Sequence, residues 1–497
     1  MSKATKTEAE FLALYSKLQA NFNIVIEKST LGGRGLFATE FIKKGSLIFL
    51  NKPTAYGPRA NCKVKKFCSK CYKISDLCYP CEKCYTFVCS EICNVSTDHI
   101  QLCSFIHDYW KLRNNGENGT DIATTLARAL IYLQFLVLPK EQKDLLKLFQ
   151  RTEIKAKFEE LETLQRTFFI PEHHIKFMNI VESIVKINSF RISQNLKNKT
   201  IELRGLYPLS AFMNHSCIPN TRNIFDANYS MAVYASKDIA KGEEITSCYT
   251  GLLWCSPARR CQLYKSKNFW CKCARCNDKT EMGTRLSALN CLNKSCIGIL
   301  LPKIPLDSQT VWVCNICDII IPPKNINMIQ SILGSLVGSL RLDDEFQMEN
   351  TVLQRLAIFI PYSNHIFVDI RLRSALKLGF TDDVNIKELS ESRLELKENL
   401  CRGTLRTVAA LGAGDAHLRG LLLYHLHAVL AERARRSPDL YEELKSEIEI
   451  TIEQAYNILL GDISAPPDLE LRRVYLGPGC DKPHEERFFI LDSKYNY

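Results

Sequence analysis

Cysteine spacing constrains the fold of this chain more than any other feature of its sequence. Twenty-two of the 497 residues are cysteine, and most stand in pairs or triplets separated by one to four other residues. Such spacing places two thiols on one turn, within about 2.3 Å of a tetrahedral zinc ion. Disulfide scaffolds of secreted proteins are short, whereas this chain is long and begins with a polar segment rather than an apolar signal. We therefore expect reduced, zinc-bound cysteines.

The first cysteine cluster lies between residues 68 and 103 and provides eight ligands, enough for two zinc ions. These ligands are Cys68, Cys71, Cys81, Cys84, Cys89, Cys93, His99 and Cys103. His99 and Cys103 are four residues apart, so they share one face of a helix. At the start of the cluster, Arg59–Lys73 holds six basic residues and no acidic one. This basic run is either a solvated loop face or a patch that contacts phosphates.

Two further cysteine groups follow in the second half of the chain. Cys271, Cys273 and Cys276 form a triplet that needs a fourth ligand from elsewhere. A ribbon-like pair of knuckles for one structural zinc is formed by Cys291, Cys296, Cys314 and Cys317. The remaining cysteines, most of which we expect to be ordinary buried or surface thiols, are Cys62, Cys78, Cys248, Cys255, Cys261, Cys401 and Cys480.

Hydrophobic periodicity divides the chain into alternating β and helical regions. Short apolar runs on either side of a glycine-rich turn, Ile24–Ile26 and Leu47–Leu50, predict a small β unit. Residues 121–187 have apolar residues at helical spacing, residues 186–255 return to short β runs, and residues 325–460 are helical again. The individual helices that we predict are Glu8–Leu18, Asn327–Leu340, Val368–Leu378, Ser390–Leu411, Ala416–Arg436 and Tyr441–Leu460.

The net charge and the apolar runs exclude little except a membrane span. The formal net charge is +11, but four zinc sites with ionised thiols would lower it to about +4. Bulk electrostatics therefore gives only weak support to a nucleic-acid partner. The longest apolar run, Ala129–Leu138, falls well short of the ~18–20 residues that a membrane span needs.

Three segments outside the cysteine clusters combine glycine, buried amides and tyrosine: Gly33–Ala38, Asn214–Asn220 and Gly242–Tyr249. Their order, with the cysteine triplet behind them, resembles a SET domain with its post-SET zinc site. The first cysteine cluster resembles a MYND finger. Together they make the chain similar to the SET and MYND domain (SMYD) family of protein lysine methyltransferases. The additional ribbon most resembles the arthropod SmydA branch, and Pro361–His365 and Leu418–Leu422 resemble the family's C-terminal helical module.

The resemblance implies an α+β fold. A β-rich SET fold would carry an inserted MYND finger, a post-SET zinc site, a zinc ribbon and a C-terminal all-α, TPR-like module. The implied boundaries are 1–60 and 186–255 for the two SET parts, 61–110 for the finger, 111–185 for a helical insert, 256–280 for the post-SET segment, 281–322 for the ribbon and 323–497 for the helical module. The family's interleaved ligation pairs the first two Cys-x2-Cys units with different zinc ions, and Cys217 would complete the triplet.

The resemblance also implies a site for S-adenosylmethionine. Backbone contacts to this cofactor would come from the glycine-rich turn, and amide or backbone contacts from the later segments. The implied cofactor residues are Gly33, Arg34, Gly35, Leu36, Asn188, Asn214, His215, Tyr249 and Phe269. Tyr249 would be the catalytic residue, with its hydroxyl near the sulfonium and the incoming amine, and an apolar channel beside Phe190 would lower the pKa of the substrate lysine.

One position departs from the family pattern. Active members have a channel-lining tyrosine four residues before the first post-SET cysteine, and this chain has Lys267 there. A second ammonium in the substrate channel would oppose the entry of a lysine. Lys267 therefore either points outward with its head in solvent or blocks the channel.

Two functions from different classes follow. The first is a protein-lysine N-methyltransferase acting on histone or other lysines in the regulation of gene expression. The alternative is a zinc-rich adaptor with a weak or inactive SET domain that binds partners through its MYND finger in transcriptional repression. A sequence-specific DNA binder is the least supported reading. Proline-rich peptides are expected ligands of the finger, and we expect a monomer in the nucleus and cytoplasm.

Overall fold

Glycine-rich turns end the short strands of the N-terminal half. The apolar run Ile24–Ile26 lies in the first strand, and Gly32 and Gly33, with φ of +141° and +61°, turn the chain into the second. The structure, a computed structural model, describes residues 22–59, 66–113, 118–146, 149, 158–196, 199–338, 353–381 and 384–494. The expected helix Glu8–Leu18 and the thiol of Cys62 lie outside these ranges, as do parts of Arg59–Lys73 and Asn327–Leu340.

The described residues contain short strands in several small sheets. The strands are β1 Ile24–Lys28, β2 Arg34–Ala38, β3 Leu47–Asn51, β4 Ala55–Pro58, β5 Tyr79–Pro80, β6 Phe87–Val88, β7 Lys111–Leu112, β8 Phe168–Phe169, β9 Ser189–Leu196, β10 Lys199–Leu206, β11 Asn214–His215, β12 Thr221–Phe225, β13 Met231–Ala235, β14 Glu244–Ser247, β15 Leu289–Asn290, β16 Ile299–Pro302, β17 Trp312–Cys314 and β18 Ile320–Ile321. Together with the helices below, they confirm the predicted α+β class.

The strand order brings distant segments into contact. The three main sheets have the orders β1-β2-β14-β11, β4-β10-β9 and β12-β13-β3. In the first sheet, β11 runs parallel to β14, with Asn214 opposite Thr246 and His215 opposite Ser247. Because Tyr249 follows Ser247 by two residues, this register places it beside His215.

The helices fall into an N-terminal and a C-terminal group. They are α1 Glu91–Asn94, α2 Thr97–Tyr109, α3 Gly119–Arg128, α4 Leu130–Leu136, α5 Lys140–Leu145, α6 Glu159–Thr167, α7 Glu172–Asn188, α8 Ser256–Lys267, α9 Ala274–Asn277, α10 Pro323–Gly338, α11 Leu353–Ala357, α12 His365–Lys377, α13 Glu391–Ala410, α14 His417–Arg436, α15 Pro438–Leu459, α16 Leu469–Leu476 and α17 His484–Lys494. The predicted C-terminal helices agree with α10 and α12–α15 to within a few residues.

Apolar stripes on these helices form the core. Leu126, Leu130 and Leu133, which the helical spacing places on one face, are buried against the sheets. The C-terminal helices α12–α15 have a separate core built from their own leucine, valine and alanine side chains. No helix in the ranges that the structure describes is both long and apolar enough to cross a membrane.

The C-terminal helices are joined to the strands by buried polar contacts. The guanidinium of Arg222, on β12, is buried and donates hydrogen bonds to the carbonyls of Asn457 and Ile458, at 3.0 and 3.2 Å, in the last turn of α15. The backbone N–H of Asp415 donates to the carbonyl of Ser236 at 2.8 Å. Since these bonds occupy carbonyls that a helix end leaves unpaired, they fix the helical module against β12.

Candidate functional site

Four groups of four ligands converge at separate places. In each group the ligand atoms all lie within 4.8 Å of one another, and the groups are Cys68, Cys71, Cys89 and Cys93; Cys81, Cys84, His99 and Cys103; Cys217, Cys271, Cys273 and Cys276; and Cys291, Cys296, Cys314 and Cys317. Neighbouring sulfur atoms are 3.5–3.9 Å apart, close to the ~3.8 Å of a tetrahedral zinc site and far from the ~2.05 Å of a disulfide. The donor sets fit four zinc ions, and the interleaved pairing agrees with the one that the resemblance implies.

The histidine ligand is held by a partner on its other ring nitrogen. His99 is buried on α2, and its Nε2 lies 3.5 Å from the Sγ of Cys84. Its Nδ1 lies 2.5 Å from the carbonyl oxygen of Asn94. An Nδ1–H donated to this carbonyl leaves the Nε2 lone pair for the metal, which is the usual arrangement of zinc-binding histidines.

The third zinc site, which we call the cavity-side site, consists of Cys217, Cys271, Cys273 and Cys276. Its ligands follow the segments expected to bind cofactor, since Cys217 comes three residues after Asn214 and Cys271 two residues after Phe269. A metal ion at this site therefore ties the Asn214 turn to the segment after α8.

A buried ionic group surrounds the cavity-side site, and sequence reasoning missed it. Arg259 donates through Nε to the Sγ of Cys217 at 3.1 Å and through Nη1 to Glu281 at 2.8 Å, and Arg275 lies 3.1 Å from the same carboxylate. All three charged side chains are almost fully buried. Four thiolates with one Zn²⁺ carry a charge of about −2, and the two guanidinium groups together with the Glu281 carboxylate carry about +1, which offsets half of it. A signal was present: residues 251–277 contain six basic residues and no acidic one.

One large cavity of about 1290 Å³ lies beside this site. It is lined by nine of the residues predicted for the cofactor and substrate, namely Gly33, Arg34, Asn188, Phe190, Asn214, His215, Tyr249, Lys267 and Phe269. Its volume exceeds the ~300–1,000 Å³ of common ligand pockets, so it has room for a cofactor and a substrate side chain together. Neighbouring wall residues that the sequence did not suggest include Leu31, Gly32 and Ile187.

Gly35 and Leu36 are not among the residues that line the cavity, and their contact with the cofactor stays a prediction. The Leu36 side chain is fully buried in the core. The Glu244 carboxylate covers Gly35, where an added Cβ would lie 2.2 Å from Oε1 of Glu244. Gly35 is therefore needed for the close approach of a carboxylate.

That carboxylate connects three segments of the wall. The Asn214 side-chain amide donates to Oε1 of Glu244 at 2.7 Å and to the carbonyl of Arg34 at 2.9 Å. The hydroxyl of Ser29 donates to Oε2 of Glu244 at 2.7 Å. Glu244 was not among the predicted site residues, because its position beside Gly35 depends on the pairing of β14 with β2.

Tyr249 is fixed by hydrogen bonds at both ends. Its backbone N–H donates to Nδ1 of His215 at 3.0 Å, and its hydroxyl donates to the carbonyl of Met213 at 2.5 Å. Burial raises the pKa of the Tyr249 hydroxyl, so the phenol remains protonated at neutral pH. Burial lowers the pKa of His215 to about 4, so this imidazole is neutral and accepts the bond from Tyr249. The His215 side chain thus orients Tyr249.

Two residues predicted from α7 and β9 also reach the cavity. Asn188, at the end of α7, donates from its amide to the carbonyl of Ile184 at 2.8 Å. Phe190 packs edge to face against Tyr207 with ring centroids 6.0 Å apart. Phe269 also lines the cavity, and its ring centroid lies 6.1 Å from that of His215. The cavity therefore combines amide groups with aromatic walls.

Lys267 points into the cavity and not into solvent. It is the last residue of α8, and its Nζ donates to the backbone carbonyl of Ile187. The same Nζ lies 5.4 Å from the centroid of the Tyr249 ring. Of the two orientations that the sequence left open, the structure has the one that places a cation beside the predicted catalytic tyrosine.

The chain is similar in sequence to known SET-domain proteins. A family model described as SET domain matches residues 33–250. SET domain-containing protein SmydA-8, isoform A, of Drosophila melanogaster is 29% identical over 409 residues, covering 80% of this chain and 87% of that protein. Histone-lysine N-methyltransferase SMYD3 of Mus musculus is 26% identical over 52% of this chain and 62% of that protein. The SET domain of LSMT bound to lysine and AdoHcy aligns with a TM-score of 0.25 at 14% identity, covering 99% of this chain and 96% of that one.

Proposed function

We propose that this chain, which is similar to the SET and MYND domain (SMYD) family and to its SmydA branch, is an S-adenosylmethionine-dependent protein-lysine N-methyltransferase. One observation carries the proposal. Four segments far apart in sequence, represented by Arg34, Asn214, Tyr249 and Phe269, line a single cavity next to a zinc site. Relatives whose names describe histone-lysine methyltransferases support the same activity.

The residues that line the cavity fit the cofactor. S-adenosylmethionine supplies an electrophilic methyl group on a sulfonium, next to an amino acid end and an adenosine. The backbone of Gly33 and Arg34 and the amides of Asn188 and Asn214 would bind the polar groups of the cofactor. The Phe269 ring would pack against its adenine. Glycine at position 33, with φ of +61°, allows the backbone to approach a ligand closely.

The protein's contribution to the reaction would be alignment and desolvation. An in-line methyl displacement needs a neutral lysine amine, and a free lysine has a pKa of about 10.4. The apolar walls Phe190 and Tyr249 would lower this pKa by keeping water from the ammonium. Because Tyr249 is held at both its backbone and its hydroxyl, it would position the amine without reorganising.

The test uses the purified full-length chain with radiolabelled S-adenosylmethionine and core histones. We expect transfer of label to lysine, reduced by about a hundredfold or more in Tyr249→Phe. Calorimetry should show that this variant still binds the cofactor, because the hydrogen bond to His215 comes from the backbone N–H of residue 249 and survives the substitution. Absence of labelling with intact cofactor binding, or labelling equal in the variant, would contradict the enzyme proposal.

A second candidate function is supported by one observation, the position of Lys267 in the cavity. In this alternative the SET domain binds cofactor weakly or without turnover, and the chain acts as an adaptor in transcriptional repression. Its finger, built on the two zinc sites between Cys68 and Cys103, would then bind partner proteins. Calorimetric binding of S-adenosylmethionine without any methyl transfer to histones or to a cell lysate would favour this function.

The finer features of the function are also proposals. We propose histone or other protein lysines as substrates and a role in the regulation of gene expression, in nucleus and cytoplasm. Proline-rich peptides as ligands of the finger, and a monomeric state, remain predictions of the family resemblance. Sedimentation of the purified chain, and pull-down with a proline-rich peptide beside Cys84→Ser, would test the last two.

A further inference from the structure

The tyrosine side of the cavity already contains an ammonium group that belongs to the chain itself. Lys267 reaches the cavity from the end of α8, and its Nζ donates to the carbonyl of Ile187. The Tyr249 ring centroid lies 5.4 Å from the same nitrogen. Lys267, Ile187 and Tyr249 all belong to the wall of the one cavity described above.

The surroundings of this nitrogen suit a cation. Ile187 lies in the last turn of α7, where the unpaired carbonyls carry the partial negative charge of the helix end. The face of an aromatic ring attracts an ammonium within about 6 Å of its centroid. Two independent features, a helix carbonyl and a tyrosine ring, therefore converge on the place that the Lys267 head group occupies.

No carboxylate competes for Lys267. Among the described residues that line the cavity there is no aspartate or glutamate, and within the described part of the chain Lys267 forms no ion pair. Burial without a counter-charge lowers the pKa of Lys267 to about 8. The Lys267 ammonium therefore occupies the place where the enzyme would bind the substrate ammonium. No salt bridge to a described residue holds Lys267 outside the cavity.

We infer that Lys267 is a built-in competitor of the substrate lysine. The Lys267 side chain fills the ammonium position between the Ile187 carbonyl and the Tyr249 ring. The inference rests on the proposed methyltransferase function and adds a regulatory device to it. A substrate lysine would enter only when the Lys267 side chain leaves the cavity. The device makes the basal activity low without removing the catalytic tyrosine.

The central test compares Lys267→Met, which keeps the length of the side chain and removes its charge, with wild type. Lys272→Met serves as the control, because Lys272 is exposed and lies outside the cavity lining. With core histones and radiolabelled S-adenosylmethionine, we expect Lys267→Met to raise kcat/KM at least about tenfold, mainly through a lower KM for histone. Lys267→Arg keeps a cation and should remain well below Lys267→Met, and calorimetry should show cofactor affinity changed by less than about threefold.

A second measurement works on the wild-type chain and does not depend on activity. Trace acylation with acetic anhydride, read by mass spectrometry, reports whether the Lys267 amine is accessible, with Lys272 as the internal reference. We expect slow labelling of Lys267 alone and severalfold faster labelling when saturating histones displace it. Labelling of Lys267 that is as fast as that of Lys272 without histones would overturn the inference even if Lys267→Met failed to fold.

The outcomes separate the two proposals. If wild type methylates histones in a Tyr249-dependent way and Lys267→Met gains nothing, the competitor role is wrong and the methyltransferase function stands. If wild type and Lys267→Met both bind cofactor and neither transfers label, both proposals fall and the adaptor function is favoured.

Discussion

At the scale of single residues, Glu244 organises the glycine-rich wall of the cavity. Its two carboxylate oxygens accept hydrogen bonds from Ser29 and Asn214, which lie more than 180 residues apart in the sequence. The absence of a side chain at Gly35 makes room for this carboxylate. The wall therefore depends on the hydrogen bonds of Ser29 and Asn214 to Glu244 and on the close packing of Glu244 against Gly35. A methyl group added at Gly35 would disturb all three contacts.

Replacement of Gly35 by alanine tests this arrangement. The new Cβ would lie 2.2 Å from Oε1 of Glu244 and 3.1 Å from Nδ2 of Asn214, so we expect a loss of about 1–3 kcal/mol in the free energy of unfolding. Calorimetry should show at least about tenfold weaker binding of S-adenosylmethionine, and urea denaturation gives the stability. The control Gly334→Ala lies on α10 with open space around it and should stabilise by roughly 0.5–1 kcal/mol. Wild-type affinity in Gly35→Ala would show that the wall tolerates displacement of Glu244.

A buried histidine far from the cavity predicts a pH dependence of stability. His174 accepts a hydrogen bond from Trp110 Nε1 at 3.2 Å, and burial, with His173 and Lys143 adding to it, lowers the pKa of His174 to about 4. Between pH 6.5 and 4, His174 binds a proton in the unfolded chain but not in the folded chain. The free energy of unfolding therefore falls as the pH falls through this window.

The variant His174→Gln keeps an acceptor for Trp110 and removes the titrating group. We expect it to lose about 2 kcal/mol less stability than wild type between pH 7 and pH 5, measured by urea denaturation at both values. Zinc release at low pH affects both proteins and cancels in the comparison. Equal slopes for His174→Gln and wild type would mean that His174 is protonated in the folded chain.

At the scale of elements, zinc sites hold together segments whose strands are too short to form a stable sheet by themselves. The ribbon strands β15–β18 are only two to four residues long, and an isolated sheet of this size is marginal in water. The cavity-side site does more than stabilise, because it joins the segment of Cys217, which follows Asn214, to the segment of Cys271, which follows Phe269, and both segments line the cavity. The zinc sites therefore differ in function although their ligands are alike.

A pair of ligand variants distinguishes the two kinds of zinc site. Cys276→Ser and Cys317→Ser should each lose about one zinc ion per chain, measured by elemental mass spectrometry. Only Cys276→Ser should lose affinity for S-adenosylmethionine, by at least about tenfold, because Arg259 and Arg275 would also lose part of their counter-charge. Cofactor affinity that falls equally in both variants would assign the loss to global unfolding and contradict the local role.

At the scale of the whole molecule, a few polar contacts that stabilise the fold strongly fix the helical module to the strands. Arg222 is buried between β12 and the end of α15, and it also lies over the Tyr234 ring at 4.8 Å. An exposed ion pair, Lys44 with Asp415 at 3.1 Å, joins the same two parts. The buried contact should contribute much more than the exposed one, because solvent screens the latter.

Arg222→Ala would leave the carbonyls of Asn457 and Ile458 without their donor. We expect a loss of about 2–3 kcal/mol in the free energy of unfolding and faster release of the C-terminal helices by limited proteolysis. Lys44→Ala should change stability by less than about 1 kcal/mol. Identical proteolysis of Arg222→Ala and wild type would show that apolar packing alone holds the module in place.

The sequence by itself determined the features that depend on local spacing. The positions of Cys68, Cys71, Cys81 and Cys84 limit which thiols can meet on one turn, and apolar periodicity placed the C-terminal helices to within a few residues. The segments that line the cavity were also recognisable, because their residue types follow one another in a characteristic order.

Only the tertiary structure decided where charged side chains point. Lys267 meets Ile187 across 80 residues of sequence, and Glu244 covers Gly35 only because β14 pairs with β2. The burial of Arg259 beside Cys217 likewise joins residues 42 positions apart. A long polar side chain has several rotamers of similar energy, so its direction follows from distant partners and desolvation, which no local pattern contains.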